Sequence, residues 1–522
     1  MAIRTAPSET AATLNNASSA QPRLVQGLGL FSATAIVMGS MVGSGIFIVP
    51  ADISRGVGSP ALLIAAWLVT AVMTIIGALS YGEMAAMMPK AGGQYVFLRE
   101  ALGPMWGFLY GWTMFLVIQC GTLAAVGVAF GKFLGVFFPS VSASHWLWHI
   151  AHVPAVRVGP MVLGNMEIGL STANLAGILV VILLSVVNIF GVRLGALVQN
   201  VFTTAKTAAL FGLVIFGFWL GRNHLAIQAN FGANFWKGAG IGTLHPLQVG
   251  VGGPIAMVGI FAILAVVQTG SLFSADSWNN VTFAGAEVKN PKRNLPLSLA
   301  LGTGVVLALY IAANFVYMVA LPLHGDPNGV TVFSRGIQYA SEDRVATAVL
   351  QQIFSSGGAQ VMAAAILVST FGCINGLALA GARVYYAMSQ DGLFFKSVGN
   401  LHPKYKTPAV ALVAQAVWTC FLCLSGSYGQ LLDYTIFAQL LFYILTIGSL
   451  FVFRRTRPNA ERPYKAIGYP VLPVIYIAMA AWICVVLLRY KPQYTWPGLI
   501  LVLLGVPVFL FWSRSAAKPS SN

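Results

Sequence analysis

The residues of this chain that could carry out chemistry are few, because only 8% of its 522 residues are charged and 57% are hydrophobic. Five ionisable side chains interrupt long apolar runs: Glu83, Lys206, Asp276, Glu287 and Asp433. If such runs cross a bilayer, an ionised side chain costs about 3 kcal/mol or more there, so it usually has a function or a partner. Glu83 and Glu287 lie near the ends of their runs, where we expect structural pairing with nearby Lys or Arg. Asp433 is expected to be solvated near an outer opening.

Lys206 and Asp276 remain as candidates for function. Lys206 lies in the run "NVFTTAKTAALFGLVIFGF", about 16 Å of helix beyond the preceding loop. That depth is close to the middle of a hydrocarbon core about 30 Å thick. We therefore expect a buried amine with a partner rather than one that reaches the lipid headgroups.

Three histidines in "HWLWHIAH" have the spacing of one helix face: His145, His149 and His152. Three imidazoles could hold a zinc ion, but no carboxylate or thiolate stands close in sequence. The favoured interpretation is an amphipathic segment at the membrane interface, with Trp146 and Trp148 at the lipid headgroups.

The five cysteines all lie in apolar runs, and Cys420 and Cys423 form a C-x-x-C without acidic or histidine companions. Packing is favoured over redox or metal chemistry. The H-E-x-x-H, P-loop and G-x-S-x-G patterns are absent from the sequence. We predict no metal, no cofactor and no enzymatic activity.

The elements that must position these residues are transmembrane helices, since the mean hydropathy is +0.79 and soluble domains have about a quarter of their residues charged. Windows of about 20 residues predict twelve spans in an all-α polytopic membrane protein. We place them at 28–50, 60–88, 104–136, 172–190, 196–220, 257–283, 297–321, 359–388, 408–425, 430–453, 470–489 and 496–512.

The net charge of +16 reflects topology rather than a nucleic-acid surface. With the amino terminus in the cytoplasm, most of the 29 lysines and arginines fall in cytoplasmic segments, as the positive-inside rule requires. Both termini are therefore predicted to be cytoplasmic. Residues 1–26 lack the apolar core of a signal peptide and are expected to be a disordered tail.

Two of the predicted spans are interrupted by small or polar residues. Span one contains "GSMVGSGIFIVP" at 39–50, and span six contains Ser274, Ala275, Asp276 and Ser277 in succession. If the first ten spans form two repeats of five, the two interruptions occupy equivalent positions. Paired broken helices of this kind are typical of secondary transporters with a site at the bilayer midplane. The alternative is that the glycines only permit kinking or packing.

The two interruptions favour opposite charges. Unwinding at Val42, Gly43, Ser44 and Gly45 frees N–H groups at a helix amino end, which favours an anion. Unwinding over 273–277 frees carbonyl oxygens, which favour a cation. A small zwitterion, an α-amino acid, satisfies both.

Five segments in order resemble the L-type amino acid transporters of the amino acid–polyamine–organocation superfamily. They are "GSMVGSGIFIVP", "GALSYGEMAAMMPKAGGQYVFLREALGPMWGFLYGW", "WNNVTFAGAEVKNPKRNLP", "GARVYYAMSQDGLFF" and "RPYKAIGYPVLPV". The resemblance implies a five-plus-five inverted repeat of the leucine-transporter type with two further helices. The implied segments are the tail 1–26, a first repeat 27–221, an extracellular connection 222–256, a second repeat 257–453, helices eleven and twelve in 454–512, and a cytoplasmic tail 513–522.

The resemblance also implies a set of site residues. The substrate-binding residues would be Met41, Val42, Gly43, Ser44, Gly45, Phe273, Ser274, Ala275, Asp276 and Ser277. Amides of Ser44 and Gly45 would bind the carboxylate, carbonyls of Met41, Phe273, Ser274 and Asp276 would receive the ammonium, and the Phe273 ring would gate the site. Lys206 would occupy the sodium region of coupled relatives, faced by Ser369 and Thr370. Many members have an aromatic residue where Ala275 stands and glycine where Ser277 stands.

The implied activity is sodium-independent exchange of amino acids by alternating access. Proton-coupled uptake of amino acids or polyamines is the alternative, and a nutrient sensor with this fold is a further one. Asp276 would either contact a substrate cation, or cap amides of 277–279 or reach Lys206. We expect neutral amino acids to be carried in both cases, with acceptance of cationic ones left open. The loop after span three lacks the cysteine by which animal members attach a heavy subunit, so we expect a stand-alone protein in a bacterial inner membrane. Its partners would be its substrate and the lipid bilayer.

Overall fold

The computed structural model describes residues 27–154, 156–158, 161–163, 166–190, 192–249, 253–424 and 428–516. The predicted tail 1–26 and residues 517–522 of the second tail lie outside these ranges. The helices are α1 Leu30–Met41, α2 Gly45–Val57, α3 Pro60–Met87, α4 Gln94–Leu102, α5 Pro104–Leu134, α6 Thr172–Ile189, α7 Val192–Leu220, α8 His224–Asn230, α9 Ile260–Ser274, α10 Asn280–Phe283, α11 Pro291–Ala320, α12 Val332–Arg335, α13 Val345–Gln390, α14 Ala409–Leu424, α15 Tyr428–Thr456, α16 Val471–Tyr490 and α17 Pro492–Ala516.

Each of the twelve predicted spans corresponds to a helix or a broken helix. Within the described ranges, nine helices are long and apolar enough to cross a membrane. The bent pair α1 and α2 passes the same test together, and α9 and α14 are shorter apolar helices. The protein is therefore a polytopic helical membrane protein, as the sequence predicts.

Prolines begin several of these helices. Pro60, Pro104 and Pro291 occupy the first turn, where a missing N–H costs no intrahelical hydrogen bond. The span predicted at 359–388 is only the second part of α13. That helix starts at Val345 and bends at Phe354 and Ser355, whose backbones are not helical.

Strands occur in the connections on one side of the bundle, which we call the outer face. They are β1 Trp146–Val153, β2 Val156–Val158, β3 Met161–Leu163, β4 Met166–Ser171, β5 His245–Gln248 and β6 Ile255–Val258. Antiparallel pairs join β1 to β4, β2 to β3 and β5 to β6. The segment "HWLWHIAH" is therefore largely a strand, and the helical spacing of its histidines does not correspond to a helix face. β1 is almost wholly exposed, and it is a strand because 166–171 pairs with it, which no local periodicity reveals.

The opposite, inner face is closed by contacts between distant parts of the chain. Leu28 forms a parallel bridge with Val288. Glu83 is fully buried and pairs with Arg454 at 2.6 Å and Arg462 at 3.2 Å. The expected pairing of Glu83 with nearby basic residues is confirmed.

Glu287 likewise pairs with Arg383 at 3.0 Å. All five cysteines are free. The packing role expected for Cys420 and Cys423 agrees with their position in α14, where Cys423 is fully buried and Cys420 is partly buried.

Candidate functional site

The first break separates α1 from α2 with a bend of 42°. The amide of Gly43 turns back onto the carbonyl of Met41 at 2.8 Å, and that of Phe47 onto Ser44 at 3.1 Å. Within the described residues, no backbone acceptor receives the amides of Ser44 and Gly45. Because these amides lie at the amino end of α2, they are donors available to an anion.

The second break follows Ser274, at the end of α9. The amide of Asp276 bonds the carbonyl of Phe273 at 3.2 Å, and regular helix resumes only at α10. Ser277 has φ of 64°, in the left-handed region that favours glycine. Many members of the resembling family have glycine at this position. Ser277 therefore adopts a backbone conformation that glycine would adopt more easily.

The two breaks are in direct contact. A Cβ atom added to Gly45 would lie 2.7 Å from Cβ of Ser274, so only glycine permits this approach. The hydroxyl of Tyr310 joins the breaks by donating to the carbonyls of Met41 at 3.0 Å and Ser274 at 3.1 Å. Two of the four carbonyls expected to receive an ammonium group thus already accept a hydrogen bond from Tyr310.

Lys206 is buried against the first break, as its midplane position predicts. Its ammonium donates to the carbonyl of Gly39 in the last turn of α1. Ser369 of α13 reaches the same break independently and donates to the carbonyl of Val42 at 3.1 Å. The hydroxyl of Thr370 instead bonds Ile366 of its own helix at 2.9 Å.

Asp276 faces a different group of helices. Its carboxylate accepts a 2.6 Å hydrogen bond from the hydroxyl of Tyr443 on α15, and the backbone of Ser277 also bonds it. Trp278 stacks on Tyr443 with ring centroids 5.4 Å apart. In the described part of the chain no ion pair joins Asp276 to Lys206 or to another cation. The carboxylate of Asp276 is thus bonded by Tyr443 and by the backbone of Ser277, and the contact with Lys206 considered above is not formed among the described residues.

A cavity of about 840 Å³ leads from the outer face towards the breaks, and we call it the outer vestibule. Tyr428 lies at its inner end, where its hydroxyl is 3.2 Å from the hydroxyl of Ser44. The ring of Phe273 meets the ring of Tyr428 edge to face, with centroids 6.2 Å apart. Tyr428 thus lines the vestibule and contacts both breaks, through Ser44 and Phe273.

The vestibule wall contains an ion pair that the sequence did not predict. Asp433 is 5% exposed and lies 2.8 Å from the ammonium of Lys491. The expectation that Asp433 is simply solvated is wrong. Lys491 lies between α16 and α17, and only their packing beside α15 brings the two charges together.

The histidines of β1 acquire a carboxylate from β4. Glu167 bonds His149 at 2.5 Å and His152 at 2.7 Å, while His145 bonds the carbonyl of Ser140. These imidazole hydrogen bonds hold the pKa of Glu167 below its usual range. Over the described residues, no group of three or more histidine, cysteine or acidic side chains has the arrangement of a metal site.

Four residues at the breaks were not predicted from the sequence as site residues: Tyr310, Tyr428, Tyr443 and Cys373. The thiol of Cys373 lies 3.7 Å from the carbonyl of Ser40. The three tyrosines could have been found from their position within apolar spans, because a buried phenol needs a hydrogen-bond partner.

Comparison with known proteins gives consistent matches over the membrane part. A family model described as amino acid permease matches residues 28–510. The chain is 27% identical to the serine/threonine exchanger SteT of Bacillus subtilis, over 94% of this chain and 98% of that protein. It is 27% identical to the b(0,+)-type amino acid transporter 1 of Rattus norvegicus, over 94% of this chain and 90% of that protein. It is 28% identical to the large neutral amino acids transporter small subunit 2 of Homo sapiens, over 93% of this chain and 81% of that protein.

Proposed function

This chain belongs to the amino acid permease family, and we propose that it exchanges amino acids across a membrane by alternating access without sodium. The observation that carries the proposal is the direct contact of two broken helices, α1–α2 and α9–α10. The first break offers backbone N–H donors and the second offers backbone carbonyl acceptors. The two breaks approach each other at Gly45 and Ser274, where only a glycine leaves enough room. An α-amino acid offers a carboxylate and an ammonium close enough to engage both.

The site for the carboxylate would be the amides of Ser44 and Gly45, which point from the amino end of α2. The ammonium would be received by the carbonyl of Asp276, and by the remaining lone pairs of Met41, Phe273 and Ser274. Phe273 and Tyr428 would move apart to admit the substrate from the outer vestibule.

Independence from sodium is supported by the position of Lys206. Lys206 is 1% exposed, and its ammonium donates to the carbonyl of Gly39. A fixed cation at this place can hold α1 against α7 through a charge-assisted hydrogen bond. No metal ion would then be needed for that contact.

Exchange of neutral amino acids is favoured by two relatives, one named a serine/threonine exchanger and the other a transporter of large neutral amino acids. In this chain the hydroxyl of Tyr443 already donates a hydrogen bond to the carboxylate of Asp276. This makes the carboxylate less available to a cationic side chain of a substrate.

The segments 27–221 and 257–453 would be the two repeats that move relative to each other. The human relative is named a small subunit. The loop 135–171 contains no cysteine here, so we propose a protein that works without a disulfide-linked partner. We further propose a bacterial inner membrane with both termini in the cytoplasm.

The test is exchange in proteoliposomes. Vesicles containing the purified protein are loaded with serine, leucine, lysine or nothing, and uptake of each labelled amino acid is measured. Exchange predicts that uptake requires an internal amino acid and is the same in sodium and in choline. Equal uptake into empty and loaded vesicles would contradict it.

Two glycine variants make the test specific to the site. Gly45→Ala places a methyl group 2.7 Å from Cβ of Ser274, so we expect uptake to fall at least about tenfold. Gly304→Ala is the matched control, since a Cβ there meets nothing within 4 Å. Normal uptake by Gly45→Ala would refute a site at this contact.

Proton-coupled uptake is the second candidate, and one observation favours it. Lys206 and Asp276 are both buried, and neither has an oppositely charged partner within the described ranges. A proton could therefore neutralise Asp276 or leave Lys206 during the cycle. Uptake into empty vesicles that is driven by an inward proton gradient, and abolished by a protonophore, would favour this candidate over exchange.

A further inference from the structure

A second cavity lies on the outer face, away from the contact between the two breaks. It has a volume of about 510 Å³ and is formed by the outer end of α5, the short helix α12 and the first turns of α13. Arg335 and Arg344 line it together with several hydroxyl and amide side chains, whereas its described lining includes no aspartate or glutamate. The cavity therefore combines apolar walls with two positive charges and several hydrogen-bonding side chains.

The two guanidinium groups are only partly occupied by the protein. Arg344 donates to the carbonyls of Lys132 at 2.9 Å and Ser341 at 3.2 Å, and Arg335 donates to Gly329 at 2.6 Å. These partners are carbonyl oxygens rather than carboxylates. Among the residues that the structure describes, neither arginine forms an ion pair. A guanidinium has five N–H donors, so each arginine retains donors for another acceptor.

The neighbouring acids do not neutralise these charges. Asp343 is engaged by Arg55, whose guanidinium lies 2.6 Å from its carboxylate. Glu342 is exposed and acts on Arg344 only through its field. Burial lowers the pKa of Arg344 in spite of that field. The guanidinium of Arg344 is therefore held in a partly desolvated position without full charge compensation.

A third lining residue is also unsatisfied. Thr347 is 5% exposed, and its hydroxyl has no hydrogen-bond partner within the described chain. It lies in the first turn of α13, which has no side-chain cap. A buried hydroxyl usually has a partner, and the amino end of a helix favours an anion.

We propose that this cavity binds the phosphate group of an anionic ligand through Arg335, Arg344 and Thr347. Two guanidinium groups and a hydroxyl suit phosphate, because arginine can donate two parallel hydrogen bonds to its oxygens. The ligand is a lipid headgroup or a soluble phosphate, and the surroundings favour the lipid. Phe137 and Phe138 directly follow the lining residue Val136 and are 38% and 58% exposed, as expected at the level of lipid headgroups.

The experiment measures thermal stabilisation of the purified, delipidated full chain in detergent by added phosphatidylglycerol, phosphatidylcholine or inorganic phosphate at constant ionic strength. We expect phosphatidylglycerol to raise the melting temperature and phosphatidylcholine to have little effect. Stabilisation by inorganic phosphate as well would identify a soluble anion as a ligand of the same site. Equal stabilisation by the two lipids would overturn the proposal.

The variants assign the effect to the cavity. We expect the double variant Arg335→Gln/Arg344→Gln to weaken the apparent affinity for phosphatidylglycerol at least about tenfold, and Thr347→Val to weaken it several-fold. Arg222→Gln is the matched control, since Arg222 is exposed at the outer end of α7 and does not line the cavity. If the double variant does not fold, Arg335→Gln and Thr347→Val provide the test. Unchanged affinity in the cavity variants that fold would refute the site.

Discussion

The ammonium group of Lys206 donates a hydrogen bond to the carbonyl oxygen of Gly39, immediately before the first break. The carboxyl end of a helix carries a partial negative charge, so α1 ends on a fixed positive charge from α7. The hydrogen bond is buried, which excludes competition by water. Lys206 thus couples the break to a helix that contributes no other predicted site residue.

We expect Lys206→Met to lower the rate of amino acid exchange by about tenfold or more, because a charge-assisted hydrogen bond contributes about 1.5–3 kcal/mol. Methionine keeps most of the volume and removes the charge. Lys237→Met is the control, as Lys237 is exposed in an outer connection. Exchange is measured in proteoliposomes with sodium or choline outside. A strong stimulation by sodium in the unsubstituted protein would contradict the role assigned to Lys206.

Asp276→Asn and Tyr443→Phe should have similar and non-additive effects on exchange, because the two side chains share a 2.6 Å hydrogen bond. If the carboxylate serves to hold the second break, neutral and cationic substrates should lose activity together, by about tenfold. The double variant should be no worse than either single variant by more than about twofold. A selective loss of lysine or arginine exchange in Asp276→Asn would instead indicate contact with the substrate.

Lys491→Ala should destabilise the protein by about 3–5 kcal/mol, because it leaves the carboxylate of Asp433 buried without its partner. Asp433→Asn combined with Lys491→Gln should recover much of this loss, since no unpaired charge remains. Lys292→Ala is a matched comparison: its partner Glu461 is exposed, and such pairs contribute about 1 kcal/mol or less. Thermal unfolding in detergent measures the loss of stability in each variant. Equal losses in Lys491→Ala and Lys292→Ala would contradict the prediction.

The hairpin of β1 and β4 should loosen as the pH falls. His149 and His152 hold the pKa of Glu167 below its usual value. A carboxyl with a lowered folded-state pKa adds stability above its unfolded value of about 4.3, and that stability is lost as the pH falls through the folded value. Amide hydrogen exchange in β1 and β4, corrected for the intrinsic rate, should therefore accelerate between about pH 5 and pH 3.

Glu167→Gln should remove this acid dependence, while the amides of β5 and β6 serve as an internal reference. An unchanged acid dependence in Glu167→Gln would mean that another group controls the hairpin.

The membrane architecture was predictable because the bilayer imposes a simple rule on the chain. A span must satisfy its backbone internally and present about 20 mostly apolar residues, so hydropathy predicted the long apolar helices of the described chain. The interruptions near Gly43 and Asp276 were predictable for the same reason, since small and polar residues inside a span conflict with that rule. The burial of Lys206 also followed from its depth in the run.

The contacts between these elements depended on the tertiary structure. Glu167 lies 18 residues from His149 and 15 from His152, Asp433 lies 58 from Lys491, and Tyr443 lies 167 from Asp276. Local sequence reports only the burial and periodicity of one segment. A hydrogen bond or ion pair between distant segments depends on which helices pack together and at what register. Whether Asp433 is solvated or paired, and which carbonyls Tyr310 occupies, was therefore decided by helix packing alone.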